Sequence, residues 1–287
     1  MLRALAACLL VAGCAAPMPG LSTTTTASGV SEQIPVTVSK PEGPGPFPAV
    51  VIMHDCSGLG PRSSGAPGRW QHELVARGYV VVIPDSFTTR GLAGGICTVP
   101  LAERRANVSP ARRAGDAYAA LAYTRSLPYV DGRRVGIMGG SHGGITTLVT
   151  MMAPPGDSAG PQRAAFAAAV ALYPRCELGA GAYRPVAPLL ILIGEKDDWT
   201  PAEPCQKLVD AARAAGQPVT ITVYPGAHHS FDSPNRVRYV AARVNSNAPG
   251  GRGATTGGDP DAWADSIRQV LAFFDHHLNA KAPKPVH

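Results

Sequence analysis

The sequence lacks several features that would place it in other classes of protein. The net charge is +6, but no cluster of basic residues has interleaved aromatics, so no nucleic-acid partner is expected. Basic pairs such as Arg112-Arg113 are expected on the solvated surface. No segment repeats at a spacing of about 20–50 residues, which argues against a solenoid or propeller. After the first residues, no stretch is long and apolar enough to cross a membrane as a helix.

The usual patterns of a metal site are also missing. The cysteines are not spaced as zinc ligands, and the eight histidines form no H-E-x-x-H or similar motif. The pair His276-His277 lies in a predicted terminal helix, where we expect it to be solvated. The sequence therefore predicts neither a metal nor a cofactor.

The N-terminal segment has the pattern of an export signal. Arg3 precedes a short apolar run that ends in Val11-Ala12-Gly13-Cys14. This ending resembles the lipobox of bacterial lipoproteins, which implies a signal peptide over residues 1–13 and a lipid on Cys14. A simple secretory signal cut near Ala16 is the alternative. Residues 14–30 are expected to be the lipid anchor and a flexible tether, holding the protein at a membrane of the bacterial cell envelope.

Residues 31–287 are predicted to form a single α/β domain, since 45% of the chain is hydrophobic and 16% charged. Solid apolar runs alternate with helical segments, which is typical of a parallel sheet covered on both faces. Two glycine-containing stretches, 85–108 and 245–258, are predicted to be loops, the second of them mobile. The expected strands are 34–39, 49–54, 79–84, 134–138, 166–173, 189–194 and 219–224, and the expected helices are 69–77, 109–127, 142–152, 202–215 and 260–279.

A nucleophile motif follows the strand predicted at 134–138. The segment 139–143 (GGSHG) matches G-x-S-x-G between a buried strand and a helix, the setting of the nucleophile turn in α/β-hydrolases. Such a turn crowds the backbone around Ser141, and the flanking glycines remove side chains that would collide. The amide of His142, at the start of the helix, is predicted to donate one hydrogen bond to an oxyanion.

A serine hydroxyl needs a base to take its proton, and in this fold an acid and then a histidine follow the nucleophile along the chain. The strand before the last is followed by Asp197 and Asp198, and the last strand by His228 and His229. The carboxyl ends of parallel strands meet at one edge, so these groups should approach Ser141. Spacing alone leaves both choices open.

From about Gln33 onward the sequence resembles the dienelactone hydrolase family of α/β-hydrolases. Many members have D-x-x-x-P after the equivalent strand, which selects Asp197, and H-x-F at the base, which selects His229. Founding members use cysteine as the nucleophile where this chain has Ser141. The resemblance implies cleavage of an ester, lactone or thioester through an acyl-enzyme, without identifying the small-molecule substrate.

The resemblance also implies the rest of the site. The second oxyanion donor is expected to be the amide of Cys56. His54 and Asp55 are expected to shape that loop, with a second catalytic pair as the alternative. Founding members hold a substrate carboxylate with an arginine in the loop after the strand at 79–84, and a similar place here, one residue further along, is taken by an arginine. The candidate substrate-binding residues are Arg90, Trp199 and His228.

Four cysteines outside the N-terminal segment are expected to form two disulfides, because an even number in an exported domain favours disulfides. In the α/β-hydrolase strand order, Cys56 and Cys97 follow neighbouring strands, and so do Cys176 and Cys205. The expected pairs are therefore Cys56–Cys97 and Cys176–Cys205, both beside the predicted site.

These features together predict a serine hydrolase of carboxylic esters. The same triad would serve an acyltransferase or a small peptidase of the prolyl-oligopeptidase type, although the chain has no room for the large extra domain usual in such peptidases. A non-enzymatic envelope lipoprotein that keeps the fold as a binding scaffold is the alternative from a different class. The presence of all three triad groups argues against that scaffold.

Overall fold

A computed structural model describes residues 20–24, 31–152, 165–178 and 183–279 of the chain. The predicted signal peptide and the predicted lipidation site, Cys14, lie outside these residues. None of the helices within the described ranges combines the length and apolarity needed to span a bilayer.

An eight-stranded, mostly parallel sheet lies at the centre of the described residues. Its strands are β1 (Gly20–Thr24), β2 (Ser31–Ser39), β3 (Phe47–Met53), β4 (Val80–Pro84), β5 (Val130–Gly140), β6 (Ala169–Leu172), β7 (Leu189–Gly194) and β8 (Val219–Tyr224). The spatial order is β1-β2-β4-β3-β5-β6-β7-β8. Strands β3 to β8 pair in parallel, and β1 and β2 join antiparallel beside β4.

Helices cover both faces of this sheet. They are α1 (Ala66–Arg77), α2 (Leu101–Val108), α3 (Pro110–Ser126), α4 (His142–Met151), α5 (Ala202–Ala214) and α6 (Pro260–Leu278). A Cβ on Gly136 of β5 would lie 2.8 Å from the ring of Phe274, so this position faces α6. Neighbouring residues of β5 point the opposite way, and α3 and α4 pack against that strand as well as against each other.

The solid apolar strands occupy the buried positions predicted for them. Every residue of β4 and of β7 is buried, which is the consequence of helices on both faces. The predicted helix starts also match the local chemistry. The Ser109 side chain accepts a hydrogen bond from the amide of Arg112, and Pro110 occupies the first turn of α3.

The predicted loop over residues 85–108 is wrong in its second half, because α2 forms there. The predicted mobile loop over 245–258 is also wrong, since it belongs to an antiparallel hairpin of β9 (Arg238–Val244) and β10 (Arg252–Thr256). Gly250 and Gly251 both have φ of 74° in the connecting turn, so the glycines that indicated a loop serve a hairpin instead. Within the predicted tether, residues 20–24 form β1.

Candidate active site

Ser141 lies in the tight turn between β5 and α4, with φ 52° and ψ −114°. A left-handed φ is uncommon outside glycine, and it lifts the hydroxyl clear of the sheet edge. The turn depends on its glycines. A Cβ on Gly139 would lie 2.7 Å from the carbonyl oxygen of Met53, and one on Gly143 would collide with that same oxygen. Only glycine fits at either position.

A continuous chain of hydrogen bonds joins three of the predicted residues. The Nε2 atom of His229 lies 2.9 Å from Oγ of Ser141, and its Nδ1 atom lies 2.7 Å from Oδ2 of Asp197. His229 and Asp197 are buried. The Asp197 carboxylate can only accept a hydrogen bond, so Nδ1 of His229 carries the ring proton and donates it. The Nε2 atom is then free to accept a hydrogen bond from the Ser141 hydroxyl.

The structure distinguishes Asp197 from Asp198. The Oδ1 atom of Asp197 accepts hydrogen bonds from the amides of Trp199 and Thr200, at 3.0 and 2.8 Å, and the Thr200 hydroxyl lies 2.9 Å from Oδ2. Asp198 points away and accepts from the amide and hydroxyl of Thr255 on β10, at 2.8 and 2.7 Å. Asp198 therefore fastens the hairpin, while Asp197 meets the histidine.

His228 and His229 also have separate places. The ring of His229 packs 4.8 Å from that of Tyr173, which in turn contacts Phe231 of the H-x-F motif at 5.4 Å. The Nδ1 atom of His228 is buried and has no hydrogen-bond partner among the described residues. His228 does not line the cavities at Ser141, so its predicted substrate contact is not present.

The loop after β3 carries the predicted second oxyanion donor. In this loop the carboxylate of Asp55 accepts hydrogen bonds from the amide and hydroxyl of Ser57, at 2.6 and 2.5 Å, and from the hydroxyl of Ser64. The Cys56 carbonyl accepts from the amide of Ile96 at 2.6 Å. No described group accepts a hydrogen bond from the amide of Cys56 or His142. Both residues line a cavity together with Ser141.

His54 forms no catalytic pair with the neighbouring carboxylate. Its Nδ1 atom donates to the backbone carbonyl of Asp55, at 2.9 Å, and its Nε2 atom accepts from the amide of Ser86, at 3.2 Å. Burial, together with the charge of Arg113, lowers the pKa of His54 to about 3. The ring is therefore neutral near pH 7 and shapes the loop.

Both predicted disulfides are present. Cys56–Cys97 ties the loop after β3 to the segment after β4, and Cys176–Cys205 ties the segment after β6 to α5. The bridges lie at the carboxyl edge of the sheet. The first is joined directly to the loop that carries the Cys56 amide.

Arg90 does not hold a substrate group, which corrects the prediction. Its side chain is only 3% exposed. Its guanidinium pairs with both oxygens of Asp116, at 2.8 and 2.7 Å, and with Glu32, at 2.7 and 3.0 Å. These hydrogen bonds hold the pKa of Glu32 below its ordinary value. The sequence placed Arg90 in a suitable loop but could not show that two distant carboxylates meet it.

Two cavities include Ser141 in their lining. Cavity A, of about 320 Å³, is bounded by Leu101, Pro110, Ile145 and Val244 on its apolar side and also reaches the oxyanion loop. Cavity B, of about 210 Å³, is polar, and its lining includes His229 and three arginines, Arg62, Arg238 and Arg243. Trp199, a predicted substrate contact, lines both cavities.

Sequence reasoning missed several residues of this site. Thr200 lies within the D-x-x-x-P stretch, so the motif itself was the available signal. Arg243 stacks over the Trp199 ring at 5.3 Å and lies in a segment for which no element was predicted. Arg113 was expected on the surface with Arg112, yet its side chain is wholly buried. Among the residues described, no three His, Cys, Asp or Glu side chains could hold a metal ion.

The parallel sheet, the turn at Ser141 and the polar groups at the strand ends are those of an α/β-hydrolase. Residues 34–278 match the dienelactone hydrolase family, and the chain belongs to that family. It is accordingly a carboxylic ester hydrolase.

Relatives and solved structures agree with this assignment. Two curated proteins named "Putative carboxymethylenebutenolidase" are similar to the chain. The one from Methylorubrum extorquens is 27% identical over 72% of this chain and 71% of its own length. The one from Yersinia pestis is 26% identical over 91% of this chain and 90% of its own length. Thermogutta terrifontis esterase 2, solved after phosphorylation by paraoxon, shares the fold with a TM-score of 0.61 and 19% identity, over 93% of this chain and 96% of its own.

Proposed function

We propose that the protein cleaves a carboxylic ester, lactone or thioester through an acyl-enzyme on Ser141. His229 acts as the general base and Asp197 orients it. The observation that carries this proposal is the hydrogen-bond chain from Ser141 through His229 to Asp197, with distances of 2.9 and 2.7 Å. Ser141, the first member of this hydrogen-bond chain, lies in a strained turn, where its hydroxyl faces a cavity instead of the core.

In the first step, Oγ of Ser141 attacks the carbonyl carbon of the substrate while Nε2 of His229 takes the hydroxyl proton. The carbonyl oxygen becomes an oxyanion that accepts from the amides of Cys56 and His142. Asp197 stabilises the imidazolium that forms. Its own geometry is held by two backbone amides, so it need not reorganise during the reaction.

In the second step, His229 returns the proton to the leaving oxygen or sulfur as its bond to the acyl carbon breaks. From an ester or thioester the alcohol or thiol departs, whereas from a lactone the new hydroxyl stays part of the acyl group; in each case the acyl group stays on Ser141. Water then attacks the acyl-enzyme, with His229 as base again, and the free acid is released. No metal or cofactor takes part in this scheme.

The two cavities receive different halves of the substrate. The leaving atom must lie near Nε2 of His229, and His229 lines cavity B but not cavity A. His142, which carries an oxyanion donor, lines cavity A but not cavity B. We therefore place the acyl group in cavity A, against Ile145, and the leaving group in cavity B.

Labelling and turnover by a Ser141→Ala variant test the proposal. The variant is expected to lose on the order of 10⁴-fold or more in kcat on p-nitrophenyl esters. It should also lose reaction with a fluorophosphonate probe. Support for such labelling comes from the fold neighbour that paraoxon phosphorylates. Ser126→Ala, at an exposed position on α3, is the control and should keep both properties.

Near wild-type turnover by Ser141→Ala would contradict the mechanism. A panel of esters with increasing acyl length then identifies the substrate class. Adding an alcohol acceptor separates hydrolysis from acyl transfer, because an acyltransferase would release a new ester in place of the free acid.

We also propose that the protein is exported and held at a membrane through a lipid on Cys14. The support is the signal pattern that ends at Cys14 and the presence of two disulfides, which persist in oxidising compartments. Firm anchoring requires more than one acyl chain, since a single chain binds membranes only marginally.

A further inference from the structure

Arg113, on α3, is a wholly buried cation that touches both sides of the proposed oxyanion hole. One guanidinium nitrogen donates to the backbone carbonyl of His54, at 2.8 Å. A second nitrogen donates to Nδ1 of His142, also at 2.8 Å. His54 lies two residues before Cys56, and His142 follows Ser141 directly. A single side chain therefore joins the two segments that supply the oxyanion donors.

The surroundings of Arg113 are unusual for a buried cation. Among the described residues no carboxylate forms an ion pair with it. The face of Phe87 lies 5.0 Å from its guanidinium carbon, and the carboxylates of Asp116, Asp55 and Asp85 act on it from beyond ion-pair distance. Burial lowers the pKa of Arg113 to about 10, which leaves it charged at neutral pH. Burying an unpaired charge is expensive, so a position with only two hydrogen bonds calls for a functional reason.

The guanidinium also fixes the state of the His142 ring. Arginine can only donate, so Nδ1 of His142 accepts and its proton is on Nε2. Burial and the charge of Arg113 lower the pKa of His142 well below its ordinary value. The link between the two segments thus keeps one form throughout the neutral pH range.

We propose that Arg113 is a positioning residue that sets the spacing of the Cys56 and His142 amides. The guanidinium is a rigid planar fork, so its two hydrogen bonds hold the loop after β3 at a fixed distance from the start of α4. Its positive charge also adds to the electrostatic potential that stabilises an oxyanion. Arg113 does not touch the substrate. The inference rests on the proposed acyl-enzyme mechanism.

Two variants of Arg113 test whether a positive charge without the fork is enough. Arg113→Met removes both, whereas Arg113→Lys keeps a charge that cannot form the fork. Both are expected to lower kcat by about 10–100-fold, because misplaced oxyanion donors act mainly in the transition state. KM should change by less than about threefold. Arg125→Met, on the same helix, is the matched control. Arg125 also donates to two carbonyls, of Gly132 and Ala165, but does not line the cavities at Ser141.

Inhibition by a boronic acid that forms a tetrahedral adduct on Ser141 distinguishes the proposed role from a purely structural one. The adduct resembles the transition state, so its affinity should depend on Arg113 only if Arg113 positions the oxyanion donors. The inhibition constant should rise in parallel with the loss of kcat in the Arg113 variants, while KM for the ester stays within about threefold. If Arg113→Met does not fold, His142→Ala removes the acceptor and leaves the backbone amide in place, and it also removes a ring from the lining of cavity A. It should show the same pattern of a lower kcat and weaker boronate binding.

Wild-type kcat and boronate affinity in Arg113→Met would overturn the proposal, as would a loss confined to KM. In the fallback, His142→Ala with unchanged kcat would overturn it. Activity of the Ser141→Ala variant tests the proposed acyl-enzyme mechanism independently of Arg113. If Ser141→Ala keeps its activity, the acyl-enzyme is wrong. If Ser141→Ala is inactive and Arg113→Met is normal, only the role of Arg113 is wrong.

Discussion

The two disulfides should have nearly equal effects on stability and unequal effects on catalysis. Cys56–Cys97 spans a sequence separation of 41 residues and Cys176–Cys205 one of 29. In the chain-entropy relation these loops correspond to about 3.9 and about 3.6 kcal/mol at 25 °C. Replacing either pair by serine should therefore lower the melting temperature by roughly 8–15 °C, at about 2–4 °C per kcal/mol for a domain of this size.

The catalytic effects should differ because only the first bridge is attached to an oxyanion donor. Without Cys56–Cys97, the loop after β3 keeps the hydrogen bond from Ile96 but loses its covalent tie to the segment after β4. We expect kcat to fall by about tenfold at a temperature where the variant is folded, which corresponds to 1.4 kcal/mol in the barrier.

Loss of Cys176–Cys205 should leave kcat within about twofold, because Asp197 is held by amides of its own turn. Calorimetry and steady-state kinetics on the two double-serine variants provide the comparison. Equal losses of kcat in both, or a normal kcat without Cys56–Cys97, would refute the reasoning.

Three further predictions concern single residues. His229→Ala should lose nearly as much kcat as Ser141→Ala, and His228→Ala far less; the reverse order in p-nitrophenyl ester assays would show that the other histidine is the base. Arg243→Met should raise KM roughly tenfold for esters with an anionic leaving group and leave neutral esters unchanged, since it removes a charged donor from cavity B. Arg236→Met, on the same segment but outside the lining of cavity B, is its control, and equal effects on both ester classes would argue against the assignment. Cys14→Ser should move the protein from the membrane to the soluble fraction of the envelope, and unchanged fractionation would refute the anchor.

Local patterns predicted the sheet well. The strands β7 and β8 have the bounds expected from their apolar runs. A strand that is buried on both faces has a continuous apolar run, which can be recognised in the local sequence without knowing the strand's neighbours. The turn at Ser141 is equally local, since its glycines and its nucleophile lie within five residues.

Features that depend on distant partners could not be predicted. Glu32 and Asp116 lie 58 and 26 positions from Arg90 in the sequence, and only folding brings them together. Arg113 was expected to be solvated because a charge is usually exposed, and no local pattern marks a buried acceptor. The family motif selected Asp197, but the partner of Asp198 could not be predicted, because Thr255 lies 57 positions away on a strand that the sequence did not indicate.

The hairpin of β9 and β10 is attached to the reaction centre through the Thr256 hydroxyl, which donates to the His229 carbonyl at 3.0 Å, but it supplies none of the three groups that carry the proposed chemistry. It contributes Val244 to cavity A, and Arg238 and Arg243 to cavity B, yet no member of the hydrogen-bond chain lies on it. Changes in its length or composition can therefore alter the fit of both halves of a substrate at once. Changes at the turn around Gly250, away from Thr256, would alter selectivity while the hydrogen bond to His229 is kept.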